Sequence, residues 1–200
     1  MSWIEEIPPA AAQGELRALY DELERKRGKV ANILQVHSLR PASMQAHLAL
    51  YMELMFAPGG LSRKQREIIA VVVSRENRCD YCVAHHAEAL QRFLKDPALL
   101  SAIAGGNDVE ALSRLTPVDR ALMDYAAKLT REPWSMSAGD IQALRESGVA
   151  EPDILLANLI VAYFNFVNRI ALGLGVEFNS EEVSGYDNPQ GDNDARAANP

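Results

Sequence analysis

Pro152-Asp153-Ile154-Leu155-Leu156-Ala157-Asn158-Leu159-Ile160-Val161-Ala162-Tyr163-Phe164-Asn165-Phe166-Val167-Asn168-Arg169-Ile170-Ala171-Leu172-Gly173 is the stretch that decides the fold class. It is long enough for about six helical turns. Ile154, Leu155, Leu159, Ile160, Tyr163, Phe164, Val167 and Ile170 leave little of its circumference polar, so it is predicted to be the central buried helix. Asn165, Asn168 and Arg169 on such a helix need partners if buried, and structural hydrogen bonds or a subunit contact are expected for them. No uncharged apolar run reaches 18 residues, so no membrane span is expected.

Outward from this stretch nearly every segment reads as helix. Residues 10–27 carry Leu16, Leu19, Tyr20 and Leu23 at helical spacing, and Gly28 breaks the run. Pro41 opens a helix to about Phe56, which Pro58-Gly59-Gly60 ends. Ser62-Arg63-Lys64-Gln65 has the form of a capping box ahead of a helix to about Arg75, with Asn77 as its break. Further helices are predicted over Asp80–Leu94, after Asp96-Pro97, after Thr116-Pro117, and over Ser137–Ser147. Strand alternation is almost absent, so the fold class is all-α. One domain is expected over 1–178, followed by a flexible or partner-ordered tail over 179–200, rich in Gly, Asn, Asp, Ser and Pro. Leu61–Arg66 and Leu115–Arg120 share a Leu, hydroxyl, two spacers, polar, Arg pattern, which common helix-start grammar explains as well as duplication does.

The net charge of −7 argues against a nucleic-acid partner, whose footprint is a basic patch. Met1–Glu6 has no basic segment leading into an apolar one, so a signal peptide is not expected and a cytoplasmic location is. The two cysteines, Cys79 and Cys82, sit three residues apart, which in a reducing compartment points to redox chemistry or metal binding and not to a disulfide scaffold.

Cys79 and Cys82 open a predicted helix, where unpaired N–H groups and the positive end of the helix dipole favour thiolate, the nucleophilic form. Their spacing lets one be oxidised and the other resolve it as a disulfide. His86 follows Cys82 by four residues and shares its face with Ala89, Leu90 and Phe93, so it is expected to point inward. His85 falls in a polar row with Glu88 and Arg92 and is expected at the surface. Glu67, one helix earlier, lies among Ala70, Val71 and Ser74. A buried carboxylate there rises in pKa or finds a hydrogen-bond partner, with His86 the natural one. A histidine so oriented can take the Cys82 proton.

The pattern Glu-x11-Cys-x2-Cys-x3-His resembles the signature of the alkylhydroperoxidase D family, within the carboxymuconolactone decarboxylase superfamily. Leu115-Thr116-Pro117, Asn165–Arg169 and Leu172–Val176 are similar to segments of its larger, peroxidase-related branch, so the resemblance covers residues 10–178. It implies a helical bundle of about seven to nine helices, a homo-oligomer, and cofactor-free reduction of organic hydroperoxides at the expense of a dithiol or protein reductant. Cys82 matches the peroxidatic cysteine, Cys79 its disulfide partner, and Glu67 and His86 the proton relay. Some members carry a second histidine just before the peroxidatic cysteine; here that residue is Tyr81.

Other readings stand beside this one. The chain also fits a thiol–disulfide oxidoreductase acting on a protein partner. A structural zinc module needs a fourth ligand, and adjacent His85 and His86 diverge by about 100° on a helix, leaving His37 or His47 to be recruited. Glu67 also fits a surface ion pair with Arg63, and His86 a packed core histidine. Decarboxylation has no need of a Cys-x-x-Cys pair and ranks last.

Overall fold

The computed structural model describes residues 2–186, and among these there are helices and turns but no strand. The all-α prediction holds. The described residues group into two compact units: one formed by the chain up to Phe56 together with that from Arg169 onward, the other by Ala57–Asn168.

The first unit begins with α1 (Gly14–Arg27), α2 (Asn32–Gln35) and α3 (Pro41–Phe56). Leu16, Tyr20 and Leu23 of α1 pack with Ala12, Leu34 and Met44 into its core. Wholly buried Tyr20 donates its hydroxyl to the Ile7 carbonyl at 2.9 Å, and the Ile7 N–H donates to Ser38 Oγ at 2.9 Å, so the phenol is paid for and the N-terminal segment is held down. Gly28 ends α1 in the left-handed region at φ 78°, its N–H closing onto the Glu24 carbonyl.

The second unit contains α4 (Arg63–Glu76), α5 (Asp80–Gln91), α6 (Pro97–Gly105), α7 (Val109–Leu112), α8 (Pro117–Arg131), α9 (Ala138–Glu146) and the Glu151–Asn168 part of α10 (Glu151–Leu174). The starts follow the local chemistry of the sequence. Ser62 and Gln65 exchange both bonds of a capping box, Asp96 accepts the Leu99 N–H, and Thr116 accepts the Asp119 N–H. Leu122, Tyr125 and Ala126 of α8 are buried.

The central helix differs from the expected one. Ile68 to Ser74 of α4 are all 0% exposed, because α5, α6 and α8 pack around that helix. On α10, by contrast, Leu155, Leu159 and Phe166 remain exposed at 60, 42 and 50%. An apolar circumference permits burial on all sides, but the number of neighbouring helices decides it. By length and composition α10 is apolar enough to cross a membrane, with a mean hydropathy of 1.6; half of that window is buried within the protein, as in the core helix of a globular domain.

The first unit resumes within α10, at Arg169. Gly175, at φ 62°, lies against the Trp3 ring, which a Cβ would approach to 2.2 Å, and the Trp3 N–H donates to the Leu174 carbonyl at 2.8 Å. Of the tail predicted over 179–200, Asn179 caps α11 (Ser180–Val183), and Lys29 Nζ donates to the carbonyls of Glu181 and Glu182. Residues 187–200 lie outside the described residues.

Candidate active site

The site is built where α4 hands over to α5. Helix α4 ends in a Schellman turn: the Arg78 N–H bonds the Arg75 carbonyl and the Cys79 N–H bonds the Ser74 carbonyl, both at 2.9 Å. The left-handed position is taken by Arg78 at φ 56°, the one non-glycine residue at positive φ among those described. Cys79 then stands as the N-cap of α5, with Cys82 in its first turn.

Both cysteines are free thiols, 1 and 2% exposed. The Cys82 thiol, donating to Cys79, holds the Cys79 pKa below the ordinary thiol range; the Cys82 N–H adds to this, while burial and Asp80 act against it. Cys79 is thus biased towards thiolate chiefly by the Cys82 thiol beside it, with the Cys82 N–H at the helix start as a smaller contribution.

Glu67 is wholly buried on α4, and each of its carboxylate oxygens has its own partner. Arg63 donates to Oε1 through Nε, at 2.8 Å, and through Nη2. His86 Nδ1–H donates to Oε2 at 2.7 Å. Burial pushes the Glu67 pKa up, but the Arg63 guanidinium and then His86 overcome it and hold the carboxyl at about 2. An ionised carboxylate only accepts, so in neutral His86 the hydrogen sits on Nδ1 and the Nε2 lone pair is left to act as a base. The Phe164 ring packs against the imidazole in a T-shaped arrangement, with centroids 4.5 Å apart.

The structure therefore joins Glu67 to His86 and Cys79 to Cys82, with His86 one turn beyond Cys82 on α5. The two readings of Glu67, an Arg63 pair or a His86 partner, are both realised at once, and the Arg63 pair is buried, not on the surface. His85 departs from expectation. It is half-buried, donates Nδ1–H to the Tyr81 carbonyl at 2.7 Å and stacks on the Tyr81 ring at 4.2 Å. The Tyr81 ring supplies an apolar face that covers it.

Sequence reasoning gave Arg63 no role in the site beyond a surface pair; its one signal, a cation four residues before a carboxylate, is shared with ordinary exposed helices. For the zinc reading, no group of three or more His, Cys, Asp or Glu side chains among the described residues is placed to hold a metal ion. His37 and His47 are hydrogen-bonded to each other, Nδ1 of His47 to Nε2 of His37, at 3.0 Å.

A family model for the carboxymuconolactone decarboxylase family matches residues 41–109. Among solved structures, the chain is similar to an uncharacterized peroxidase-related protein with an alkylhydroperoxidase AhpD core from Ralstonia eutropha JMP134, at 31% identity and a TM-score of 0.80 over 91% of this chain and 94% of that one. It is also similar to an uncharacterized peroxidase-related protein from Silicibacter sp. TM1040, at 29% identity and a TM-score of 0.80 over 92% of this chain and 94% of that one. The debrominase Bmp8 shares the fold at 16% identity and a TM-score of 0.69, over 90% of this chain and 96% of that one. No curated protein matches the chain.

Proposed function

Because the chain belongs to the alkylhydroperoxidase D and carboxymuconolactone decarboxylase superfamily, we propose that it is a thiol peroxidase reducing organic hydroperoxides through Cys82 and Cys79. The observation that carries this reading is the bond from His86 Nδ1 to the buried Glu67 carboxylate, one helical turn from Cys82. A bare core histidine has no need of an ionised partner that is itself anchored by an arginine.

In this scheme His86 Nε2 takes the Cys82 proton, and Glu67 stabilises the resulting imidazolium. The Cys82 thiolate attacks the terminal oxygen of the hydroperoxide; the S–O bond forms, the O–O bond breaks, and the alkoxide leaves as an alcohol with the proton from His86. Cys79 thiolate then attacks the Cys82 sulfenic acid, and hydroxide leaves as water with formation of the Cys79–Cys82 disulfide. An external dithiol reduces that bridge and is itself oxidised to a disulfide.

Single-turnover reduction of cumene hydroperoxide by pre-reduced protein tests this. Wild type is expected to consume one equivalent and to lose two hydrogens across Cys79 and Cys82 by mass spectrometry, whereas Cys82→Ser consumes none. Two persistent free thiols in wild type while peroxide disappears would sink the scheme.

The lowered Cys79 pKa at a helix start supports a second reading, thiol–disulfide exchange with a partner protein. Exchange that outpaces peroxide turnover would favour it. The protein is further proposed to work in the reducing cytoplasm and as a homo-oligomer, the latter supported by exposed Leu155, Leu159 and Phe166 on one helix.

A further inference from the structure

The turn that presents the cysteines is held by a buried network of amides and hydroxyls. Asn168 of α10 is 0% exposed. Its Nδ2 donates to Ser74 Oγ at 3.2 Å and its Oδ1 accepts from Asn77 Nδ2 at 2.9 Å, so one side chain grips the turn at both ends. The second Asn77 amide hydrogen goes to Asn165 Oδ1 at 3.0 Å. Asn165 Nδ2 in turn donates to Thr130 Oγ1 at 3.2 Å and to the Val161 carbonyl at 3.0 Å, and Thr130 donates to the Ala126 carbonyl. Both amide hydrogens of Asn77 and of Asn165 are used, so the network has little freedom to rearrange without stranding a polar group.

An aliphatic side chain at 168 would fill the same space on an apolar helix and carry no desolvation cost. What the amide adds is direction. Ser74, held through its hydroxyl, also supplies the carbonyl that accepts the Cys79 N–H. Arg78, between the two gripped residues and Cys79, keeps a left-handed conformation that persists only where its surroundings over-determine it.

We infer that Asn168, together with Asn77, is a positioning residue for Cys79: it fixes the turn so that the Cys79 sulfur stays where the Cys82 thiol and N–H donate to it. The reactivity of Cys79 is thereby set from α10 through this turn, while the Glu67–His86 bond beside Cys82 runs between α4 and α5, with α10 adding only the Phe164 ring packed on the imidazole. The role given to Cys79, exchange with the reductant, rests on the peroxidase reading. The positioning itself is read without peroxide.

The test is Asn168→Ala and Asn77→Ala in the full chain, reduced, with iodoacetamide labelling of Cys79 followed by peptide mass mapping across pH. The midpoint of the pH–rate profile reports thiolate formation independently of how accessible the sulfur is. In both variants that midpoint is expected to rise by about half a unit or more towards the ordinary thiol value of about 8.5. Single-turnover oxidation of Cys82 by cumene hydroperoxide should stay within about twofold of wild type, well below the hundredfold scale of a lost acid–base group. An unchanged midpoint in the folded variants overturns the inference, as does a parallel loss at Cys79 and Cys82, which marks general loosening. If Asn168→Ala does not fold, half-buried Asn77→Ala gives the same readout. A wild type inert to peroxide ends the peroxidase reading, and the Cys79 midpoint still decides this one.

Discussion

Glu67 shows how one buried residue can be held by two partners without serving either one alone. With Arg63 on Oε1 and His86 on Oε2, the carboxylate stays ionised, and its pKa of about 2 makes it an anchor and not a proton carrier. Its folded pKa lies below the unfolded value of about 4.5, so its stabilising contribution is complete above about pH 4.5 and lost as pH falls through about 2. We expect Arg63→Met to lower stability by about 3–5 kcal/mol at neutral pH, because a buried charge loses its main counter-ion. The gap to wild type should close in strong acid, and the acid limb of the activity profile should move to higher pH, because burial raises the Glu67 pKa with only His86 left to oppose it. Denaturant titrations across pH and a kcat/KM profile check this, and Arg63→Lys should restore part of both. The Glu67–His86 pairing was legible in the sequence because a carboxylate among apolar neighbours needs a partner and His86 lies on the inward face of the next helix. Arg63 was not, because i,i+4 ion pairs are ordinary on exposed helices and only the packing around α4 makes this one buried.

At the scale of elements, the helix starts were readable and the helix surroundings were not. Ser62, Asp96 and Thr116 carry their caps in the local sequence, so α4, α6 and α8 begin where those residues say. Burial of α4 over α10 depends on which helices come to lie around each, and hydrophobicity along one helix carries no such information. The α4–α5 turn was foreseen only as a break at Asn77. An arginine in the left-handed position gives no sequence warning, since glycine is the usual occupant. The partners of Asn165 and Asn168 were equally hidden, because Asn77 lies 88 and 91 residues away in the chain. Arg78→Gly should relieve the turn and raise stability by about 0.5–1 kcal/mol, seen as a small rise in Tm. A fall in Tm would mean that the exposed Arg78 side chain contributes more than its backbone costs.

Across the whole molecule the all-α class follows from helical periodicity in almost every segment, and the family from a motif that spans only Glu67 to His86. The grouping of the described residues into two units was not foreseen, since the first of them draws on segments before Phe56 and after Arg169 that are far apart in sequence. The tryptophans fall one in each unit, and both lie outside the cores: Trp3 is 76% exposed and Trp134 is 81% exposed. The intrinsic fluorescence of the protein is therefore a signal of its surface. Emission is expected to be red-shifted and open to iodide quenching in the native state, and to change little on unfolding, so that a melt followed at the indole wavelength would pass over the loss of the packing around α4 almost unseen.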